Sequence, residues 1–245
     1  MSLWSPERAR LFLGPEGSWL ARVKQGRVEH LDSLPAVKDA PDLDAIAQVL
    51  KAPDWRRLNV EVLLSHRQVR FVLTEPPRRL IRRAEEEALA TAEFARIYGR
   101  TDPLRIRAVS QPPEAGILGA AVEETLAQAV EAMLEAAGIR RYTLLPWFEA
   151  AAHRPRDGYT VLAEPGWVVI GLAQKGLWRR IEAQPCGEDW GQRLPEWLTR
   201  ATRLQDAPIP HRARVQCIAS KTPRLTPMPG WTIETPAPLF PEVSA

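Results

Sequence analysis

The sequence predicts an α/β fold in two lobes, each grown from the same unit, and three features carry that prediction. The order strand, strand, strand, helix, strand occurs once in each half of the chain. Glycine-containing corners part the first three strands of both copies. With 45% apolar residues over 245 positions, the chain can bury two modest cores or one large one.

In the first copy, residues 9–13, 18–24 and 27–33 are short strand-like runs joined at Gly14-Pro15-Glu16-Gly17 and Gln25-Gly26. A helix is expected over 42–51, where Leu43, Ile46, Ala47 and Leu50 share one face, followed by a buried strand over 58–64. In the second copy, 159–164, 167–174 and 177–183 are parted by Pro165-Gly166 and Lys175-Gly176. A helix over 188–203 and a strand over 213–219 complete the match.

The stretch between the copies repeats nothing. Residues 67–73 are expected to extend the strand ending at Leu64, until Pro76-Pro77 stops it. A helix over 78–98 follows, with Leu80, Ile81, Ala84, Ala88, Leu89, Thr91, Ala92, Ala95 and Tyr98 as its apolar stripe. Arg78, Arg79, Arg82 and Arg83 crowd its first turns, where the helix dipole favours acids. Either they pair with Glu85, Glu86 and Glu87 one turn on, or they form a basic patch that meets a partner. Residues 104–109 and 116–122 read as strands, 123–137 as a helix stopped by Gly138, and 139–145 as the strand closing the first lobe. A partly helical crossing over 146–158 divides the chain into 1–145, with an insertion over about 66–110, and 146–245.

Charge excludes some function classes. The net charge is +3, but 33 basic and 30 acidic residues are interspersed, so nucleic acid is not the expected partner. Cys186 and Cys217 stand far apart outside any CxxC and read as free thiols. His30, His66, His153 and His211 are scattered without metal-ligand spacing, and no GxSxG elbow occurs. Residues 1–14 lack the apolar core of a secretion signal, and no run approaches the roughly 18 apolar residues of a membrane span. A cytoplasmic protein is expected, reaching a membrane only through a partner. Most of the nine tryptophans are expected in the core, with Trp190 and Trp197 on one helix face. Trp231, between Pro229-Gly230 and a proline-rich tail over 235–245, is the candidate for an exposed partner anchor, and the tail reads as extended and mobile.

Residues 117–152 run strand, helix, the helix end Met133-Leu134-Glu135-Ala136-Ala137-Gly138-Ile139, strand and an alanine-rich segment. Together with the strand, charged hairpin, strand and proline pattern of residues 56–74, this order resembles the actin-like PilM family of type IV pilus assembly. It is similar too to the related cytoplasmic part of the type II secretion protein GspL. The resemblance implies a duplicated RNase H-like fold of two lobes with mixed sheets. The second lobe is reduced, because only about ten residues part Arg203 from the strand near Ala213, where an outer subdomain would be inserted.

Members of that superfamily that hydrolyse ATP place an Asp in each lobe's first hairpin, beside backbone N–H groups that wrap the phosphates. Here Leu11-Phe12-Leu13 occupies the first acid position, and Pro15 removes a donor. In the second hairpin Glu164 stands near the acid position, but Pro165 donates nothing and Trp167 fills phosphate space. The glycine cluster expected on the adenosine side is replaced by Cys217-Ile218-Ala219-Ser220-Lys221. No catalysis, metal or cofactor is therefore expected. The resemblance implies a docking scaffold for the cytoplasmic tail of a PilN-like inner-membrane protein, with Val69, Phe71 and Leu73 on the docking strand and Arg78, Arg79, Arg82 and Arg83 as a charged rim. The alternatives are a divergent ATPase or sugar-kinase-like phosphotransferase, and a filament-former.

Overall fold

A computed structural model of the chain describes residues 7–24, 27–38, 40–77, 82–99, 103–109, 111, 116–151, 155–203, 209–218 and 223–240. The chain opens with strands β1 (Arg8–Gly14), β2 (Gly17–Lys24), β3 (Arg27–Val37) and the short β4 (Ala40–Pro41). Helix α1 (Leu43–Leu50) starts where the Asp42 side chain accepts from the Ala45 N–H at 2.9 Å, and it buries Ile46, Ala47 and Leu50. One turn of helix, α2 (Pro53–Arg56), leads into β5 (Asn59–Leu64).

The strand does not continue through 67–73 as the sequence pattern suggests. A turn closed by the Gln68 N–H on the Ser65 carbonyl redirects the chain, and β6 (Val69–Leu73) joins a different sheet. Helix α3 (Arg83–Tyr98) follows, then β7 (Leu104–Val109), β8 (Leu118–Glu123), α4 (Glu124–Ala136), β9 (Tyr142–Pro146) and α5 (Trp147–Ala151). The second half runs β10 (Gly158–Glu164), β11 (Trp167–Gln174), β12 (Leu177–Pro185), α6 (Trp190–Arg203), β13 (Arg212–Cys217) and β14 (Thr232–Glu234).

Three sheets result, ordered β4-β3-β2-β1-β5-β9, β12-β11-β10-β13-β14 and β6-β8-β7. The duplication holds at the level of pairing. Strand β1 is antiparallel to β2 and parallel to β5, just as β10 is antiparallel to β11 and parallel to β13. Helices α1 and α4 cover the first sheet with Ile46, Leu50, Val130 and Leu134, and α6 covers the second with Trp190, Leu194, Trp197 and Leu198. Helix α4 ends as expected. Gly138, at φ +77, lets the Ile139 N–H reach the Leu134 carbonyl and its own N–H reach that of Glu135.

Helix α3 departs from its predicted stripe. Its buried residues are Phe94, which packs with Val72 and Ala121 of the small sheet, and Ala90, which packs with Ala108 and Ile117, whereas Ala84, Ala88, Leu89, Ala92 and Tyr98 face solvent. Leu80 and Ile81 lie outside the described residues. Trp231 also departs from expectation. It stacks on His211 at 5.0 Å between ring centroids and packs beside Tyr159, half-buried, because β14 pairs in parallel with β13 and draws it onto the second core. The described part of the tail, up to Phe240, is docked: the Leu239 and Phe240 N–H groups donate to the Cys217 and Ile218 carbonyls, and Phe240 is 1% exposed.

Candidate functional site

The C-terminal ends of β1, β5 and β10 converge between the lobes, where the two glycine hairpins face each other. Arg67 reaches across the first hairpin to Glu16 at 2.9 Å, and a Cβ placed on Gly166 of the second would lie 3.8 Å from that carboxylate. The Ser65 hydroxyl donates to Glu164 at 2.8 Å and the Arg67 backbone N–H donates to the same oxygen at 3.3 Å, so the first lobe grips the one acid of the second hairpin.

Glu164 is 5% exposed, and burial pushes its carboxyl up to about 7 against the hydrogen bonds from Ser65, Arg67 and His66. His66 lies 3.9 Å from it and stacks on Trp147 at 4.8 Å with the rings 16° apart. Complete burial lowers the His66 imidazole to about 3, so at neutral pH the contact joins a neutral ring to a carboxyl and is no ion pair. Both ring nitrogens and Glu164 Oε2 lack a protein hydrogen-bond partner, which is the desolvation that drives both shifts.

Around this polar knot the lobes share one apolar core. Phe12 and Leu63 from the first lobe meet Leu162, Val169, Trp178, Ile218 and Phe240 from the second, together with Trp147 and Phe148 of the crossing segment. Phe240 lies 6.4 Å from both Phe12 and Trp19, stacked on the latter. Side chains thus occupy the space between the hairpins. Among the described residues no group of three His, Cys, Asp or Glu converges as a metal site. Cys186 and Cys217 are not joined in a disulfide, and burial pushes the Cys186 thiol up to about 11.

A second concavity, of about 180 Å³, lies between the edge of the first sheet and the small sheet. Leu64, Val69, Ala120, Val122, Leu144 and Pro146 form its apolar lining, and Arg105 and Arg107 stand with them. Glu124 and Glu131 hold the Arg105 fork and raise its pKa further, while Arg107 lies 3.3 Å from Glu149. Strand β9 pairs only with β5 among the described residues, so its outer backbone edge is open along this groove.

The predicted docking residues separate. Val69 lines the groove, but Phe71 and Leu73 pack into the shared core, Phe71 at 5.6 Å from Phe148, and β12 lies alongside β6. Arg83 pairs with Glu87 at 3.5 Å, and the Arg82 backbone N–H caps onto Glu85 at 2.9 Å. Arg78 and Arg79 lie outside the described residues. Sequence reasoning missed Ser65, His66 and Phe240. The Ser-His-Arg-Gln run between two apolar strands and the Leu-Phe pair inside the proline-rich tail were the available signals.

No protein-family model and no curated protein sequence matches the chain. Solved structures do. The cytoplasmic domain of EpsL, an inner-membrane component of the Vibrio cholerae type II secretion system, superposes with a TM-score of 0.66 at 14% identity, covering 95% of this chain and 90% of that one. A Bacteroides thetaiotaomicron protein of unknown function with an actin-like ATPase fold gives 0.55 at 8% identity, covering 88% and 83%. The fold is actin-like. A PilM–PilN type IV pilus biogenesis complex matches the same actin-like frame at 0.60 and 16% identity, over 86% of this chain and 81% of the other.

Proposed function

We propose that this actin-like chain is a non-catalytic docking component, in the cytoplasm, of a type II secretion or type IV pilus machine. Its partner in this reading is the cytoplasmic tail of a PilN-like inner-membrane protein. The observation that carries the reading is the aromatic core shared by the lobes, in which Phe12, Trp147 and Phe240 pack together with strands of both sheets. Support for the setting comes from the similar structures, one an inner-membrane component of a secretion system and one a PilM–PilN complex. Among the described residues no helix is long and apolar enough to cross a membrane, which suits a role that reaches the bilayer through a partner.

The groove along β9 fits an extended segment. The open strand edge supplies main-chain donors and acceptors, and Leu64, Val69, Val122 and Leu144 supply an apolar floor for alternate side chains. A labelled peptide of the cytoplasmic tail of a PilN-like membrane protein tests it by fluorescence anisotropy. Leu144→Glu, which places a charge on the floor, is expected to weaken binding at least about tenfold, with circular dichroism showing that the variant stays folded at the assay temperature. Equal binding by parent and variant would contradict the placement.

A further inference from the structure

At the pole of the first lobe where β5 and β9 begin, two loops each present a pair of arginines. Arg56 and Arg57 close α2, Arg140 and Arg141 precede β9, and the four line one concavity of about 540 Å³ with Leu58 and Gly138 at its floor. All four are exposed, and among the described residues none has a carboxylate within ion-pair distance. Elsewhere Arg10, Arg22, Arg67, Arg96, Arg105 and Arg212 each hold a glutamate. Glu7, at the same end of the sheet, is already taken by Arg22 and Lys24. Strand register adds Arg8, opposite Asn59 on β5. Tyr142, 38% exposed, directly follows Arg141.

We infer that this pole is a contact site for an anionic phospholipid surface, independent of the tail groove. Guanidinium forks bind phosphate oxygens bidentately, and here they are spread over two loops around a shallow, open floor rather than along a cleft. A peptide would need side-chain pockets, and the floor offers only Leu58 and Gly138. A field of phosphodiester headgroups needs only spaced cations, and an exposed tyrosine next to them suits the interfacial zone of a bilayer. A partner-bound protein would thereby also touch the membrane directly.

Sedimentation of the full chain with vesicles tests this, using phosphatidylcholine alone and phosphatidylcholine mixed with phosphatidylglycerol. At about 0.1 M salt the parent is expected to pellet with the anionic vesicles only, and to be released near 1 M salt, where screening shortens to about 3 Å. Arg140→Gln with Arg141→Gln, or Arg56→Gln with Arg57→Gln, is expected to lower partitioning about twenty- to thirtyfold. Arg200→Gln with Arg203→Gln, exposed at the end of α6, removes the same charge elsewhere and is expected to leave partitioning unchanged. Unaltered melting temperatures separate these outcomes from misfolding, since all the substituted side chains are exposed. Equal losses from the α6 pair, or full partitioning by both patch variants, would overturn the site. Binding of soluble polyglutamate or inorganic phosphate without vesicle partitioning would overturn its assignment to lipid.

Discussion

Two buried groups with opposite proton demands sit 3.9 Å apart between the lobes. Glu164 is raised from 4.5 to about 7, so between those values the folded chain holds more protons than the unfolded one, and stability falls as pH rises. His66 is lowered from 6.5 to about 3, so over that span the unfolded chain holds more, and stability rises with pH. Between about pH 4.5 and 6.5 the two slopes oppose each other and nearly cancel. Glu164→Gln removes the falling branch. Its stability, followed by denaturant unfolding at several pH values, is expected to climb by about 1.4 kcal/mol per pH unit relative to the parent across that window. A variant whose pH profile runs parallel to the parent's would mean that Glu164 titrates like an exposed carboxyl.

Elements differ in how much of them the sequence makes legible. The hairpin strands were readable because Gly14-Pro15-Glu16-Gly17 and Pro165-Gly166 break two strongly apolar runs. Strand β6 was misjoined because Ser65-His66-Arg67-Gln68 carries no glycine or proline, so nothing marked the chain's exit to another sheet. In α3 the alanines spread apolar character around the helix, and the single aromatic that fixes its inner face, Phe94, fell outside the chosen stripe. Gly119 of β8 permits that contact. A Cβ there would stand 2.8 Å from Val72 Cγ2 and 3.1 Å from both Ala90 Cβ and the Phe94 ring. Gly119→Ala is therefore expected to destabilise by about 1–3 kcal/mol, and hydrogen exchange should show α3 amides losing protection while β1 and β5 keep theirs.

Over the whole molecule, fold and site were legible to different depths. A repeated unit predicts two similar sheets, because each copy must bury its own strands. The polar knot was half visible, with Glu164 marked near an acid position but its donor Ser65 lying 99 residues away, beyond any local periodicity. Phe240 was hidden among its prolines, which gave no sign of where the ring would dock. That ring helps tie the lobes together. Phe240→Ala is expected to lose about 3–5 kcal/mol by thermal or chemical unfolding, and to leave the segment after β14 open to limited proteolysis. The central claim is that this core has replaced a nucleotide between the lobes, and calorimetric titration of the full chain with Mg²⁺ and ATP tests it most directly. No binding heat is expected up to millimolar ligand; a saturable isotherm in the micromolar range would contradict the account.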